Sequence, residues 1–234
     1  MSKNYKIKTY FNFPIQILEG FMCNSINVLN NIMDYAVYAH GHRNLEYGDE
    51  IQIFKASAKH FGITFNNLKK SYNNGEVLYN SLGDGNPMVG IEKDMCFDYY
   101  KNYKTDFQKR CLLGYLGIRS ILMDKAYCKT TNDFWFSRMD GKASKTNKDN
   151  LSKEIQEFYN EYQAKKIKNE LSVHWNLKTY SRYTRGFYVS LKLSLEDLVF
   201  HAEKKRKSYQ EKKLKKETEM ARLKALNRLS NIST

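Results

Sequence analysis

Two prolines, Pro14 and Pro87, are the only ones in a chain of 234 residues, so long uninterrupted helices are permitted almost everywhere. The apolar periodicity uses that freedom. From Ser25, a good N-cap, Ile26, Leu29, Ile32, Met33, Ala36 and Val37 recur at helical spacing, and His40-Gly41-His42 ends the run with a glycine suited to a C-cap. A second helical region covers about 50–74. A third covers about 105–124, where Phe107, Cys111, Leu112, Tyr115, Ile118, Ile121 and Leu122 make a broad apolar face. A fourth runs from about Ser152 to Leu171 on Ile155, Phe158, Tyr159, Tyr162 and Ile167. A last begins near Ser194, with Glu196 and Asp197 favouring its dipole and Leu195, Leu198, Val199 and Ala202 anchoring it.

Strand signals are fewer. Asp133-Phe134-Trp135-Phe136-Ser137-Arg138 reads as a short strand turned at Asp140-Gly141. Thr179–Thr184 and Phe187–Leu193 flank Arg185-Gly186 and read as a hairpin. Residues 82–90 are the strongest break and residues 142–153 are polar and loose, so both read as linkers. No internal repeat is visible. The expectation is a mainly α fold with a small β component, divided into 1–81, 91–141, 152–202 and 203–234.

With 41% hydrophobic and 14% aromatic residues the chain is expected to fold. No apolar run approaches the roughly 18 residues of a membrane span. The N-terminus opens on charge, without an apolar leader. Cys23, Cys96, Cys111 and Cys128 lie too far apart for a CxxC pair, which disfavours a zinc knuckle or a dense disulfide scaffold. A soluble protein of a reducing bacterial cytoplasm is expected, bound to no membrane and holding no cofactor. Lys and Arg number 39 against 25 Asp and Glu, a net charge of +14 that suits a nucleic-acid binder. Thirty of the 39 are Lys; with many Asn, this is also the bias of an AT-rich coding sequence. Distribution is the stronger argument: Glu203 to Arg228 holds eleven basic and four acidic residues, net +7, half of the excess in one ninth of the chain.

Residues 54–75 resemble a helix-turn-helix of the kind found in nucleic-acid-binding proteins of phages and mobile elements. Ala58 is the small residue that lets the second helix approach, Gly62 stands four residues later in the turn, and Phe61, Ile63 and Leu68 flank it. The resemblance implies that Thr64 caps the second helix and that Asn74-Gly75 ends it. It also implies that Lys59, Thr64, Asn66, Asn67, Lys69 and Lys70 face nucleic acid. Ser71 departs from the pattern, and Tyr72 can replace it after a small rotation. An ordinary helical hairpin with a glycine corner is the plain alternative.

The region 152–200 has the order of a winged helix: a helix, then Lys165, Lys166 and Lys168, then a hairpin with Arg182 and Arg185 near its tip. Tyr180, Tyr183 and Tyr188 among those arginines equally suit a single-strand groove. The tail beyond 203 is a charged helix whose Leu214, Ala221, Leu223, Leu226 and Leu229 make only a thin stripe. It reads either as a solvated extension or as a phosphate-binding arm led by Lys204, Lys205, Arg206 and Lys207.

Chemistry is thinly represented. His40-Gly-His42 offers two imidazoles without an identifiable third metal ligand. Asp133 with Asp140-Gly-Lys142 mimics the spacing of a restriction-type nuclease core, a pattern that chance also produces. The favoured expectation is a non-catalytic nucleic-acid-binding protein of a phage or mobile element, with DNA or RNA open. In size, basicity and lack of catalytic motifs the chain is also similar to anti-CRISPR proteins, which would make a Cas effector or its guide RNA the partner. A metal-dependent nuclease is the third reading.

Overall fold

A computed structural model describes residues 9–44, 49–82, 85–181 and 186–230, with side chains up to 224 in the last helix. The fold is mainly α with two small antiparallel sheets. Strand β1 (Tyr10–Pro14) pairs with β2 (Met88–Glu92), from Tyr10 opposite Glu92 to Pro14 opposite Met88. Alternation along β1 turns Phe11 and Phe13 fully inward. The expected linker 82–90 is therefore in part a strand: Met88 to Gly90 belong to β2.

Between these strands lie α1 (Ser25–Asn44), α2 (Glu50–Phe61) and α3 (Leu68–Leu82), with α1 packed against both others. Two glycines read as helix ends are interior instead, for the same reason. A Cβ on Gly75 would fall 2.6 Å from the Asp34 carbonyl oxygen, and one on Gly41 would fall 2.9 Å from Ile53 Cγ2. Their missing side chains let helices approach closely, so α1 continues to Asn44 and α3 to Leu82. Asn74 does not cap α3; its amide donates to Asn31 Oδ1 and Asp34 Oδ2 across the α1–α3 contact. Burial raises the Asp34 carboxyl pKa, and the Asn74 hydrogen bond opposes that rise.

After α4 (Lys93–Lys101), α5 (Asp106–Leu122) opens on a capping box of Thr105 and Gln108. Then come β3 (Cys128–Thr130) and α6 (Asn132–Met139). The expected strand at 133–138 is thus a helix. Thr131 caps it through the Phe134 amide, and Trp135 donates from Nε1 to the Gly114 carbonyl of α5 at 2.9 Å. The expected second linker is tied down: Asp140 accepts from the Ser152 amide and hydroxyl, and Leu151 is buried. The expected helix 152–171 is two, α7 (Lys153–Gln156) and α8 (Glu161–His174), with Asn160 capping the second. Strands β4 (Lys178–Tyr180) and β5 (Phe187–Ser190) form the expected hairpin pair, and β3 joins it in the order β3-β5-β4. Helix α9 (Leu195–Ser230) follows, its first turn capped by Ser194 through the Asp197 amide.

From α5 to β5 the connectivity is helix, strand, two main helices, strand and strand, with the first strand beside the last. That is a winged-helix order, and it begins at α5, upstream of the region the sequence pointed to. One cluster of buried hydrophobic residues runs from Phe11 to Val189 through both halves. No described helix is long and apolar enough to cross a membrane.

Candidate nucleic-acid interface

The segment 54–75 folds as helix, turn and helix. Gly62 adopts φ +65° as the C-cap of α2, and the Ile63 amide reaches back to the Ala58 carbonyl at 2.9 Å. Ala58 and Phe61 are buried, and Tyr72 takes the buried position that Ser71 cannot fill. The turn spans residues 62–67, so Thr64 is not the cap. Asn67 is, accepting the Lys70 amide on Oδ1 at 3.0 Å, which occupies its side chain with its own helix. Thr64, Asn66, Lys69 and Lys70 are exposed. Lys59 and Thr64 line one cleft of about 660 Å³ together with Lys55 and Phe65.

Helix α8 buries Ala164, Ile167 and Leu171, packing against α5 beside Gly114. Lys165 and Lys166 therefore point outward, accompanied by Tyr162, Asn169 and Ser172. Asn169 and Ser172 were not singled out from the sequence, and Tyr162, read there with the apolar positions, is exposed; the period of the buried triplet assigns all three to the outer face. Lys168 is a correction. It follows Ala164 by four residues and precedes Leu171 by three, so it turns inward. Its ammonium lies 3.5 Å from the Phe187 ring centroid, also faces Trp135, and donates to Asn132 Oδ1 at 2.8 Å. Burial pushes its pKa down to about 8. It braces the hairpin against α6 and α8 and is not a phosphate contact. Arg182, Tyr183 and Arg185 lie outside the described residues.

Tyr180 and Tyr188 are cross-strand partners on the sheet face that carries the start of α9. Lys129 stands over the Tyr188 ring. Tyr180 donates its hydroxyl hydrogen to Glu203 Oε1 at 2.8 Å, while Arg206 pairs with Glu203 Oε2 at 2.9 Å. His201 stacks on Tyr127, and Lys205 covers the same ring at 4.7 Å. Leu198 and Ala202 are buried beneath. Arg206 and Lys205 thus fasten the root of α9 through Glu203 and Tyr127, whereas Lys204 and Lys207 are exposed without such a contact among the described residues. From Lys207 to Lys224 every described side chain is exposed.

The residues considered for catalysis are drawn into separate contacts. Asp133 pairs with Lys145 at 2.7 Å and accepts from Tyr159, and those donors hold its carboxyl below the ordinary range. Asp140 serves Ser152, and Lys142 pairs with Glu19. His40 stacks on His60 at 4.5 Å, whereas His42 faces Tyr38 and Tyr79. Among the described residues no three His, Cys, Asp or Glu side chains gather as metal ligands. Compared with protein-family models, with curated proteins and with solved structures, the chain finds no match.

Proposed function

We propose that the chain is a non-catalytic nucleic-acid-binding protein serving a phage or mobile element. The observation that carries this reading is the outer face of α8. In a winged-helix arrangement the last helix before the hairpin enters the groove. Here that helix presents Tyr162, Lys165, Lys166, Asn169 and Ser172, with Glu161 the one exposed acid of that face, at its first turn. Asn suits the edge of adenine, Lys suits guanine or phosphate, and Ser suits either. The lysine-rich α9 springs from the same sheet, and the α2–α3 turn offers a second basic contact through Lys59, Asn66, Lys69 and Lys70. The lysine and asparagine bias fits the AT-rich coding of such elements.

The test separates reading from holding. Asn169→Ala should cost about 1–3 kcal/mol on one preferred sequence, as an amide at a base edge does. Lys165→Ala should weaken all sequences alike. Both positions are exposed, so melting temperature should not move. Fluorescence anisotropy against a panel of DNA and RNA probes measures these effects. A full-length chain without affinity for any of them at about 50 mM salt, where phosphate binding is strong, would overturn the reading.

A further inference from the structure

We infer that the α9 arm holds the phosphodiester backbone on one face only, the face turned toward the body of the protein. This deepens the nucleic-acid reading and rests on it. A regular α-helix advances about 100° per residue, and α9 is continuous from Leu195 to Ser230. Leu198 and Ala202 are buried against the sheet, so they mark the direction in which the body lies. Projected along the helix, Lys205, Lys212, Lys213, Lys216 and Lys224 fall within about 60° of that direction.

By the same projection Glu203 and Glu211 fall well outside that sector, while Glu217 and Glu219 flank it about 20° beyond its edges, Glu217 lining the same cleft as Lys212, Lys213, Lys216 and Lys224. Tyr209 and Met220 lie between the lysines and are exposed. The outer side differs in kind: Lys207, Glu211, Lys215 and Glu219 follow one another at i, i+4 spacing in a row that runs from the opposite face round toward the sector's edge, so charges of alternate sign stabilise the helix there. Within the sector Lys213 is the lysine that reaches an acid, Glu217, at 3.6 Å. Lys212, Lys216 and Lys224 have no acidic partner among the described residues. Net charge alone would spread attraction around the rod; this distribution gives it a side. A phosphate backbone seated there lies in the angle between arm and sheet, next to the hairpin. It is steered by unpaired lysines and flanked by the apolar stems of Tyr209 and Met220.

The experiment compares two full-length variants of equal charge. One carries Lys212→Gln, Lys216→Gln and Lys224→Gln on the inner face. The other carries Lys207→Gln, Lys215→Gln and Arg222→Gln on the outer face. Glutamine keeps helix propensity in both, and far-UV circular dichroism checks that. Affinity for a fluorescein-labelled DNA duplex of mixed sequence is followed from about 50 to 200 mM salt. The inner variant should lower the log–log salt slope by about 2–3, three phosphate contacts at roughly 0.9 each. The outer variant should lower it by less than about 1. Equal losses in the two variants, or a larger loss in the outer one, overturn the one-faced arm while leaving nucleic-acid binding intact. Absence of binding by the unmodified chain overturns the underlying reading instead.

Discussion

Lys168 shares a basic cluster with Lys165 and Lys166 in sequence, yet it stands one turn after the buried Ala164 and one turn before the buried Leu171 and turns inward with them. Its ammonium rests on Phe187 and Trp135 with a neutral amide as its hydrogen-bond partner. An amine whose pKa falls on folding is penalised in the folded state while it is charged. The unfolded chain then binds more protons between about 8 and the ordinary lysine value of about 10.4, so stability rises as pH climbs through that window. Lys168→Met deletes this dependence. Urea unfolding of both proteins across the window should show the variant's relative stability highest below pH 8 and declining toward pH 10.4. A difference between the two proteins that stays constant with pH would refute the buried-amine account. The sequence carried the clue, since the period of Ala164, Ile167 and Leu171 places position 168 on the inner side. A reading by charge alone overrides it.

Elements were legible in proportion to their length. The long periodic runs at α1, α5 and α9 are helices where expected, because many turns repeat the same preference. The six-residue aromatic run at 133–138 is too short for a period to show. It resolves as α6 only because Thr131 caps it and Gly114 and Gly117 leave room for Trp135 on α5. Strands β1 and β2 went unread: Phe11 and Phe13 alternate, but their partner strand lies beyond three helices. The candidate site divides the same way. Gly62, Ala58 and Phe61 are local and matched the motif; the start of α3 depended on which side chain reaches a free amide, and Asn67 prevailed over Thr64. Two adjacent asparagines should therefore behave differently. Asn67→Ala should cost about 1 kcal/mol of stability, as loss of an N-cap does, whereas Asn66→Ala should leave urea unfolding unchanged and reduce only nucleic-acid affinity. A neutral Asn67→Ala would remove the cap from the account.

In the whole molecule, three of the four segments that composition separates share one buried cluster from Phe11 to Val189, because apolar surface continues across the breaks that charge and glycine mark. What stands apart is α9 from Lys207 to Lys224, about 27 Å of helix on which every described side chain is exposed. Such a rod is held by local bonds alone, so it opens and closes far more often than the body does. Proteases cleave what opens. Trypsin, cutting after Lys and Arg, should remove the arm first and leave a resistant fragment ending near Arg206, seen by mass spectrometry before the body is degraded. Simultaneous loss of arm and body would contradict the exposed rod. The lysines that suit the arm to a polyanion are thus also its scissile bonds, so any polyanion lying along it is a shield. The lifetime of this helix under protease becomes a clock for how long the molecule stays occupied.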